Sequence, residues 1–474
     1  MSRLGVSVPS TALLRGRAQT QPPPTQATAL IARMTAAPST ARATAIGALV
    51  RSLASAGLWQ KLDALYLLAA HDAQAARLNW VPWTGTVTNQ IKNNAMQGAA
   101  PGLRPTGWRA PYTNVAGLMF SVAGVGSEGG IDYTDWDISG TPSSAGTAFL
   151  YCYGSETDIV ASAGQTWSGS AFVRLVSGSL AGTTWTGGVN GLFLFAYDAA
   201  VQVTNGPATG FTPTTGALAS ARILNEKWTT PANTATLGLC LRFQVASGVP
   251  VAFRIRIGWP QLVRMDVAGD PIRTTGAAAS QTQTLNRFDL QAVNSPAFLA
   301  DRGYAGASGS YLSTNYNPAT DGVHYTRNSG HVGAWDLAER APLNVMPVGT
   351  STTTGLQIGI YQHYSTGLCW IAANDAGGAT ASIGSSGFFV GSRLSAAARQ
   401  AYRNGGLLAD TAIASIAVPS VPVDLLCFSG SAGRSHWCTD RIAAFSMGAG
   451  LGAGEVATFH QALQDYLRSV GAVT

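Results

Sequence analysis

Charged residues are scarce in this chain. Asp, Glu, Lys and Arg together make up 11% of its 474 residues, against roughly 25% in typical globular domains. Three of the 29 basic residues are lysines (Lys61, Lys92 and Lys227), and no dense run of Lys and Arg occurs. A nucleic-acid partner is therefore not expected. The net charge of +6 would suit an acidic polysaccharide equally well.

Cysteine is too sparse for a disulfide framework, since the five residues form no CxxC pair and no spacing typical of metal ligands. We expect most of them to be small buried hydrophobic residues, and a pairing of Cys427 with Cys438 across a hairpin stays open. Runs of 18 apolar residues are also missing, so no transmembrane helix is predicted. The N-terminus lacks the apolar core of a secretion signal. Display outside a cell would then follow from assembly into a particle and lysis of the producing cell.

The amino-acid composition and the spacing of the apolar residues change after Asn79 and Trp80. The preceding residues are rich in Ala and Leu with helical spacing, and they follow a proline-containing arm over residues 1–25. We interpret residues 26–80 as a helical block for anchoring or oligomerisation. The spacing predicts helices over about 26–36, 40–56, 58–70 and 72–78.

The next residues are short runs of alternating apolar residues between Gly, Ser, Thr, Asn and Pro, which is typical of antiparallel β-structure. In VPVAFRIRIGWPQL, Val251, Phe253 and Ile255 share one strand face, while Arg254 and Arg256 share the other. Such strands predict a sandwich over residues 82–275. The small polar residues that follow predict a linker over 276–284. Residues 285–474 are again β-rich and end in a helix predicted near 453–470.

Three groups of segments resemble modules of tailed-phage and gene-transfer-agent particle proteins. LWQKLDALYLLAAHDAQAARLNW is similar to a recurring helical module. NNAMQGA, QTWSGSAFVRLVSGSLAG, and IGWPQL with PIRTTGAA resemble a jelly-roll carbohydrate-binding-like module of phage tail proteins. AVNSPAFLADRGYAG, SYLSTNYNPATDG, NSGHVGAW and RIAAFSMGAGLGAGEVATFHQALQDYL resemble phage concanavalin A/laminin-G-like domains.

The expected fold is thus mainly β: a small N-terminal helical block, two antiparallel β-sandwiches (a jelly roll and then a concanavalin A-like domain) and a C-terminal helix. In similar proteins the LNWV end of the helical module can lead almost directly into the segment seen here as FDLQAVNSPAF. The resemblance implies that the jelly roll is an insertion. Residues 26–80 should then pack against residues 285–474.

Glycan binding uses aromatic faces for sugar C–H groups and planar polar side chains for hydroxyls and carboxylates. The polar faces of predicted strands in the first sandwich carry such groups, and neighbouring strands would form a basic sheet for acidic polysaccharide. A solvated sheet face is the alternative interpretation. Trp185, in a turn-rich segment, is either an exposed platform or a packed side chain. The strand residues are Arg174, Tyr197, Arg242, Arg254 and Arg256.

The C-terminal domain offers a second candidate surface. Gln357, Tyr361 and His363 alternate with the apolar residues of a predicted strand. They are expected to line a groove together with His331, Trp335 and Trp370, although each of these residue types is also common in structural positions.

The carboxylates are candidates for metal binding and for catalysis. Asp132, Asp135 and Asp137 have the density of a structural Ca²⁺ site, although a polar strand and turn would also place them together, and no cofactor is expected. The ExDxxE pattern of sandwich glucanases, GxSxG, HExxH and the P-loop are all absent. Beyond residue 285 the glutamates are Glu339 and Glu455, so we expect no enzyme.

We therefore expect a virion structural adhesin (tail fibre, head spike or decoration protein) that binds host-surface glycan. Its N-terminal region would attach it to other virion proteins, on the surface of a particle assembled in the host cytoplasm. Symmetric copies, with a trimer as the working assumption, would raise avidity. The alternatives are a purely structural virion protein whose sandwiches bind other subunits, and a capsule depolymerase.

Overall fold

A computed structural model of the protein describes residues 24–153, 159–198, 201–353, 355–364, 367–379 and 384–474. Apart from Pro24 and Thr25, the predicted arm over residues 1–25 lies outside these ranges. The structure is 44% strand and 12% helix, with antiparallel sheets, a small N-terminal helical block and a C-terminal helix. The predicted mainly β class is confirmed.

The described chain divides into two compact units. Unit 1 contains the residues up to Val81 together with Phe288–Thr474, and unit 2 contains Pro82–Arg287. Unit 1 is therefore built from two segments that are distant in the sequence.

The N-terminal block contains two of the predicted helices, α1 (Thr25–Ile31) and α2 (Thr40–Ser55). Ser39 caps α2 by accepting a hydrogen bond from the backbone N–H of Arg42 at 3.3 Å. The helix predicted over 58–70 is wrong, because residues 62–67 form strand β1 (Leu62–Leu67) after a short 3₁₀ turn. The helix predicted over 72–78 is a single 3₁₀ turn at Ala75–Arg77.

Unit 2 consists of strands joined by turns, with one short 3₁₀ turn at Leu218–Ser220. In chain order the strands are β2 (Trp83–Asn89), β3 (Tyr112–Thr113), β4 (Leu118–Glu128), β5 (Ile131–Gly140), β6 (Gly146–Tyr153), β7 (Thr166–Ser179), β8 (Thr183–Thr184), β9 (Gly191–Asp198), β10 (Val201–Thr209), β11 (Arg222–Thr229), β12 (Thr236–Val245), β13 (Val251–Val263) and β14 (Ala279–Leu285).

The second segment of unit 1 is also mostly strand and ends in a helix. Its elements are β15 (Gln291–Val293), β16 (Ala297–Leu299), β17 (Gly303–Ala305), β18 (Tyr311–Ser313), α3 (Pro318–Asp321), β19 (Gly330–Asp336), β20 (Val348–Thr353), β21 (Leu356–Tyr361), β22 (Trp370–Asp375), β23 (Gly378–Ala379), β24 (Gly387–Arg393), β25 (Arg399–Arg403), β26 (Gly406–Thr411), β27 (Asp424–Leu425), β28 (Phe428–Gly430), β29 (Gly433–Ser435), β30 (Arg441–Gly448) and α4 (Ala453–Ser469).

Unit 1 is a β-sandwich with helices on one outer face. One sheet has the order β16-β17-β30-β19-β24-β25-β26, and the other has the order β15-β18-β27-β20-β21-β22-β23. A Cβ atom on Gly391 would approach Cγ2 of Ile371 to 2.5 Å, so β24 and β22 face each other closely. On the other side of the first sheet, α2 and α4 share a buried apolar cluster with its strands, including Leu53, Phe388 and Phe459.

Strand β1 extends the first sheet of unit 1 by pairing with β30, with Tyr66 opposite Phe445. Asp63 of β1 is buried, and its carboxylate accepts hydrogen bonds from the Tyr316 hydroxyl (2.8 Å) and the Tyr325 backbone N–H (2.8 Å). These contacts confirm the prediction that residues 26–80 pack against residues 285–474.

The chain leaves and re-enters unit 1 at neighbouring points. The backbone N–H of Asn79 donates to Oδ1 of Asp289 (2.9 Å), and that of Leu290 donates to the Arg77 carbonyl (2.7 Å). Within unit 2, the first and last strands, β2 and β14, pair from Trp83–Leu285 to Asn89–Ala279. The linker predicted over 276–284 is therefore wrong for most of its length, because a strand of alternating Ser, Gln and Thr occupies it.

Unit 2 is a sandwich of a sheet with the order β11-β7-β13-β5-β4 and a sheet with the order β10-β9-β12-β6-β3. Its main apolar core contains the inward residues of both sheets, such as Trp136, Ile255, Leu194 and Phe243. The five cysteines of the chain are buried and free. None of the helices in the described residues is long and apolar enough to cross a membrane.

Candidate functional site

The outward side of the β11-β7-β13-β5-β4 sheet carries a group of charged side chains. Strand β13 alternates so that Phe253, Ile255 and Ile257 enter the core, while Arg254 and Arg256 point away from it. Strands β4, β5 and β7 add acidic and basic side chains beside them. We call this surface the charged face and define it by Glu128, Asp135, Asp137, Arg174, Arg254 and Arg256.

Strand register explains which of these side chains meet. Arg254 lies opposite Asp137, and Nε and Nη2 of Arg254 donate to the two carboxylate oxygens at 2.7 and 2.8 Å. Arg256 lies between Asp135 and Arg174, and it binds Asp135 in the same two-point manner at 2.8 Å. Arg174, Arg254 and Arg256 therefore lie on neighbouring strands, which was the condition for a shared polar face.

Glu128 joins two of the arginines at the end of β4. Its Oε2 accepts hydrogen bonds from Nη2 of Arg174 (2.8 Å) and Nη1 of Arg256 (2.5 Å), while Oε1 accepts from the Leu218 backbone N–H (2.7 Å). The Leu218 hydrogen bond, followed by those from the two guanidinium groups, lowers the pKa of Glu128 to about 2. The Arg256 guanidinium also lies 3.4 Å above the Tyr133 ring centroid.

The charges of this face cancel. Its three arginines are paired with three carboxylates. Asp132, whose side chain alternates to the other side of β5, pairs with Arg273 at 2.6 Å. The predicted basic sheet for acidic polysaccharide is therefore wrong for this face. Asp132, Asp135 and Asp137 bind arginines, and in the part of the chain that the structure describes no three His, Cys, Asp or Glu side chains come together as a metal site.

Glu128 and Tyr133 were missed in the sequence. The available signal was Gly129-Gly130, whose two positive φ angles of 59° and 83° form the two-residue turn between β4 and β5. A hairpin at this turn places Glu128 beside the aspartates of β5 and thereby beside the arginines of β13.

Tyr197 and Arg242 lie on the other sheet of unit 2, so the prediction of one shared polar face is wrong for them. Tyr197 is 8% exposed and belongs to a cluster with Tyr151 and Phe195, and its hydroxyl accepts a hydrogen bond from Arg109 at 2.7 Å. The Arg242 guanidinium lies 5.3 Å from the ring centroid of Phe149 in β6. These side chains form a separate, largely buried aromatic layer.

Trp185 packs inside unit 2 and is 3% exposed. Its indole stacks on Phe243 with ring centroids 4.4 Å apart, and its Nε1 donates to the Thr183 hydroxyl at 3.0 Å. The exposed-platform interpretation of Trp185 is therefore wrong.

The groove predicted in the C-terminal domain is split between two sheets. Tyr361 and Trp370 are cross-strand partners with ring centroids 5.3 Å apart, and Gln357 follows the same alternation as Tyr361. By contrast, His331 and Trp335 are buried beneath α4, against Phe459 and His460 respectively.

Tyr361 also belongs to a cluster with Tyr364 and His436, at ring-centroid distances of 5.0 and 5.6 Å. His363 is held by a contact of its Nδ1 with the Arg340 carbonyl oxygen at 2.9 Å. Tyr361 is 9% exposed, so Tyr364 and His436 present most of this cluster to solvent.

The two glutamates of the C-terminal segment have structural contacts. Glu339 accepts hydrogen bonds from the backbone N–H groups of Ser385 and Ser386. Glu455 accepts one from the Gly452 backbone N–H at the start of α4 and pairs with Lys61 at 2.6 Å. Both contacts lower the pKa of Glu455.

Comparison of the chain with models of known protein families finds no match, and comparison with curated proteins finds none either. The function is therefore inferred from the residues of this chain and from their geometry.

Proposed function

We propose that this protein is a structural adhesin of a phage-like particle and that the charged face of unit 2 binds glycan on a host surface. The sequence segments that resemble phage tail and particle proteins support the particle setting. In this proposal the N-terminal region attaches the chain to the particle or to other copies of itself, and repeated copies raise avidity.

The observation that carries the proposal is the row of planar polar side chains across β4, β5, β13 and β7. Each guanidinium group of this row contacts at least one carboxylate, and Tyr133 lies beneath Arg256. Arg254 and Asp137 keep 38% and 39% of their side-chain surface exposed. Such a row offers hydrogen-bond donors and acceptors at fixed positions, together with an aromatic ring, which are the groups that recognise sugar hydroxyls and C–H faces.

The balance of charge changes the expected ligand of this face. A row with three positive and three negative side chains provides no net attraction for a polyanion. We therefore assign a neutral, hydroxyl-rich glycan to this face.

A glycan array probed with the full chain tests the proposal. The test variant is the double substitution Arg254→Ala with Asp137→Ala, because it removes the most exposed pair without altering the net charge. The matched control is Thr88→Ala with Ser280→Ala, which removes an exposed cross-strand hydrogen bond between β2 and β14 (2.8 Å) in the same unit. We expect the wild type and the control to bind the same neutral glycans and the test variant to lose them.

A wild-type protein that binds no glycan on the array would overturn the proposal. If the Arg254/Asp137 variant bound the same glycans as tightly as the wild type, the charged face would not be the glycan-binding surface.

A second candidate function is a purely structural particle protein. It is favoured by the ion pairs within the charged face, because the charged groups of this face already have partners in the absence of a ligand. Under this alternative the chain would bind purified particles lacking it, and the Arg254/Asp137 variant would change that binding without any glycan signal.

A further inference from the structure

Unit 1 contains a cleft beside the C-terminal helix, and none of its lining residues belongs to the charged face. Its volume is about 410 Å³, which lies within the range of roughly 300–1,000 Å³ typical of small-ligand sites. The end of β19, the start of β24, the turn between β25 and β26, and helix α4 contribute to its walls. We call it the α4 cleft, and the lining side chains used below are Arg302, Trp335, Asp336, Asn404, His460 and Gln464.

One wall of the α4 cleft is aromatic. The imidazole of His460 lies nearly parallel to the Trp335 indole, with an interplanar angle of 8° and ring centroids 5.2 Å apart. Trp335 is 4% exposed, so His460 is the ring of this pair that can meet a ligand. Burial and the nearby Arg468 lower the pKa of His460, which keeps the imidazole neutral at pH 7 and leaves a flat, uncharged surface.

Three polar side chains around this wall retain unused hydrogen-bond donors. Asn404 accepts a hydrogen bond from the Phe388 backbone N–H through Oδ1 (2.8 Å), which leaves Nδ2 without a partner among the described residues. The side chains of Gln464 and Arg302 likewise have no hydrogen-bond or ion-pair partner in the part of the chain that the structure describes. Gln464 lies four residues after His460 on α4, so the two share one helix face.

The side chains of the cleft carry one fixed positive charge, on Arg302. Asp336 is fully buried, and burial together with the charge of Asp440 raises its pKa well above the ordinary value. An unpaired guanidinium near neutral amides and a neutral ring pair matches a ligand that has one carboxylate, several hydroxyls and one C–H face.

We propose that the α4 cleft binds an acidic monosaccharide unit, with Arg302 holding the sugar carboxylate. Asn404 and Gln464 donate to ring hydroxyls, and the His460 ring, supported by Trp335, receives the C–H face of the sugar. This site goes beyond the proposed function, because it lies in the other unit and selects a charged sugar rather than a neutral one.

The experiment measures binding of D-glucuronate and D-glucose to the full chain by saturation-transfer NMR and by titration. We expect glucuronate to bind the wild type and glucose to bind at least about tenfold more weakly, since a bidentate charge-assisted contact exists for glucuronate alone. Arg302→Gln should reduce glucuronate binding about tenfold, and Gln464→Ala should reduce it less. Arg104→Gln is the matched control, because Arg104 is an exposed arginine of unit 2 and its substitution changes the net charge equally.

Absence of glucuronate binding to the wild type would overturn the proposal, as would equal affinity for glucose or an Arg302→Gln variant that binds as tightly as the Arg104→Gln variant. The Arg254/Asp137 variant separates the two proposals. Glucuronate binding should persist in this variant when binding of neutral glycans is lost.

Discussion

Both units hold arginines against carboxylates, but they do so in opposite environments. In unit 1, Asp375 bridges Arg393 and Arg399 at 2.5 and 2.6 Å, and the three side chains are 0%, 0% and 3% exposed. In unit 2, Arg254 and Asp137 form a similar two-point contact with more than a third of each side chain exposed. Removal of one partner from a buried ion pair is strongly destabilising, because the other charge stays buried without a counter-charge. An exposed ion pair contributes little to stability. The arginine–carboxylate pairs thus stabilise the fold in unit 1, whereas the exposed pair in unit 2 remains accessible to a ligand.

Asp375→Asn should produce the largest effect on stability. The substitution leaves two buried guanidinium groups without their counter-charge, which should lower the free energy of unfolding by about 3–5 kcal/mol. Urea unfolding monitored by amide exchange in β24 measures the loss. Asp410→Asn, at an exposed position of β26, is the control and should change stability by less than about 0.5 kcal/mol. Equal effects of the two substitutions would contradict the assigned role of the buried cluster.

Glu128→Gln should have an intermediate effect of about 1.5–3 kcal/mol, since charge-assisted hydrogen bonds to Arg174, Arg256 and Leu218 are weakened. The effect should depend on pH. Folding lowers the pKa of Glu128 from its ordinary value of 4.5 to about 2, so its stabilisation is complete above about pH 4.5 and is lost as the pH falls toward 2. Urea midpoints of unit 2 at pH 2 and pH 7 should therefore differ less in the variant than in the wild type.

The control for this pH dependence is Glu226→Gln in the same unit, which removes a carboxylate that accepts a hydrogen bond from the Ala268 backbone N–H (2.7 Å). It should leave the acid-dependent loss between pH 4.5 and 2 in place. A Glu128→Gln variant that retains the full wild-type pH dependence would show that another carboxylate causes it.

The pair of Arg254 and Asp137 should couple weakly. A double-mutant cycle on the two alanine substitutions is expected to give an interaction energy of about 0.2–1 kcal/mol, as for other exposed ion pairs. Thermal unfolding at low and high salt measures it, and the coupling should shrink as salt screens the charges. A coupling of several kcal/mol would contradict the claim that this exposed pair contributes less to stability than the buried cluster of unit 1.

Excision of unit 2 should have the smallest effect on unit 1. A variant in which a short Gly-Ser linker joins Val81 to Phe288 keeps the neighbouring hydrogen bonds of Asn79 with Asp289 and of Leu290 with Arg77. The protection of β30 amides against exchange should stay within about 0.5 kcal/mol of the full chain. An excised chain without cooperative unfolding would show that unit 1 depends on unit 2.

Periodic strands with one apolar face could be predicted well. The alternation in residues 251–257 is that of β13, and the terminal helix predicted near 453–470 is α4 at Ala453–Ser469. Strand β1 could not be recognised in the same way, because all six of its residues are buried. Leu62, Leu65 and Tyr66 instead recur at the three- and four-residue spacing that is typical of a helix.

The candidate sites were harder to predict than the fold. The strand faces of Arg254 and Arg256 could be derived from the sequence, but their neutralisation depends on the register of β5 against β13, which a single sequence does not reveal. Strand β14 could not be predicted for another reason. Its Ser, Gln and Thr residues lack apolar alternation, and the segment is a strand because its backbone pairs with β2.

The pairing of β1 with β30 also determines when each part of the chain can fold during synthesis. Leu62 of β1 cannot pair with Gly448 of β30 until Gly448 has been synthesised. This takes roughly 20–80 s at ribosomal rates of about 5–20 residues per second. Unit 2 is a continuous segment and can fold on the ribosome during that interval. Until the last strand and helix emerge, the apolar residues of α2 and β1 stay uncovered, so the nascent chain should need chaperone protection at its N-terminal end rather than at its inserted domain.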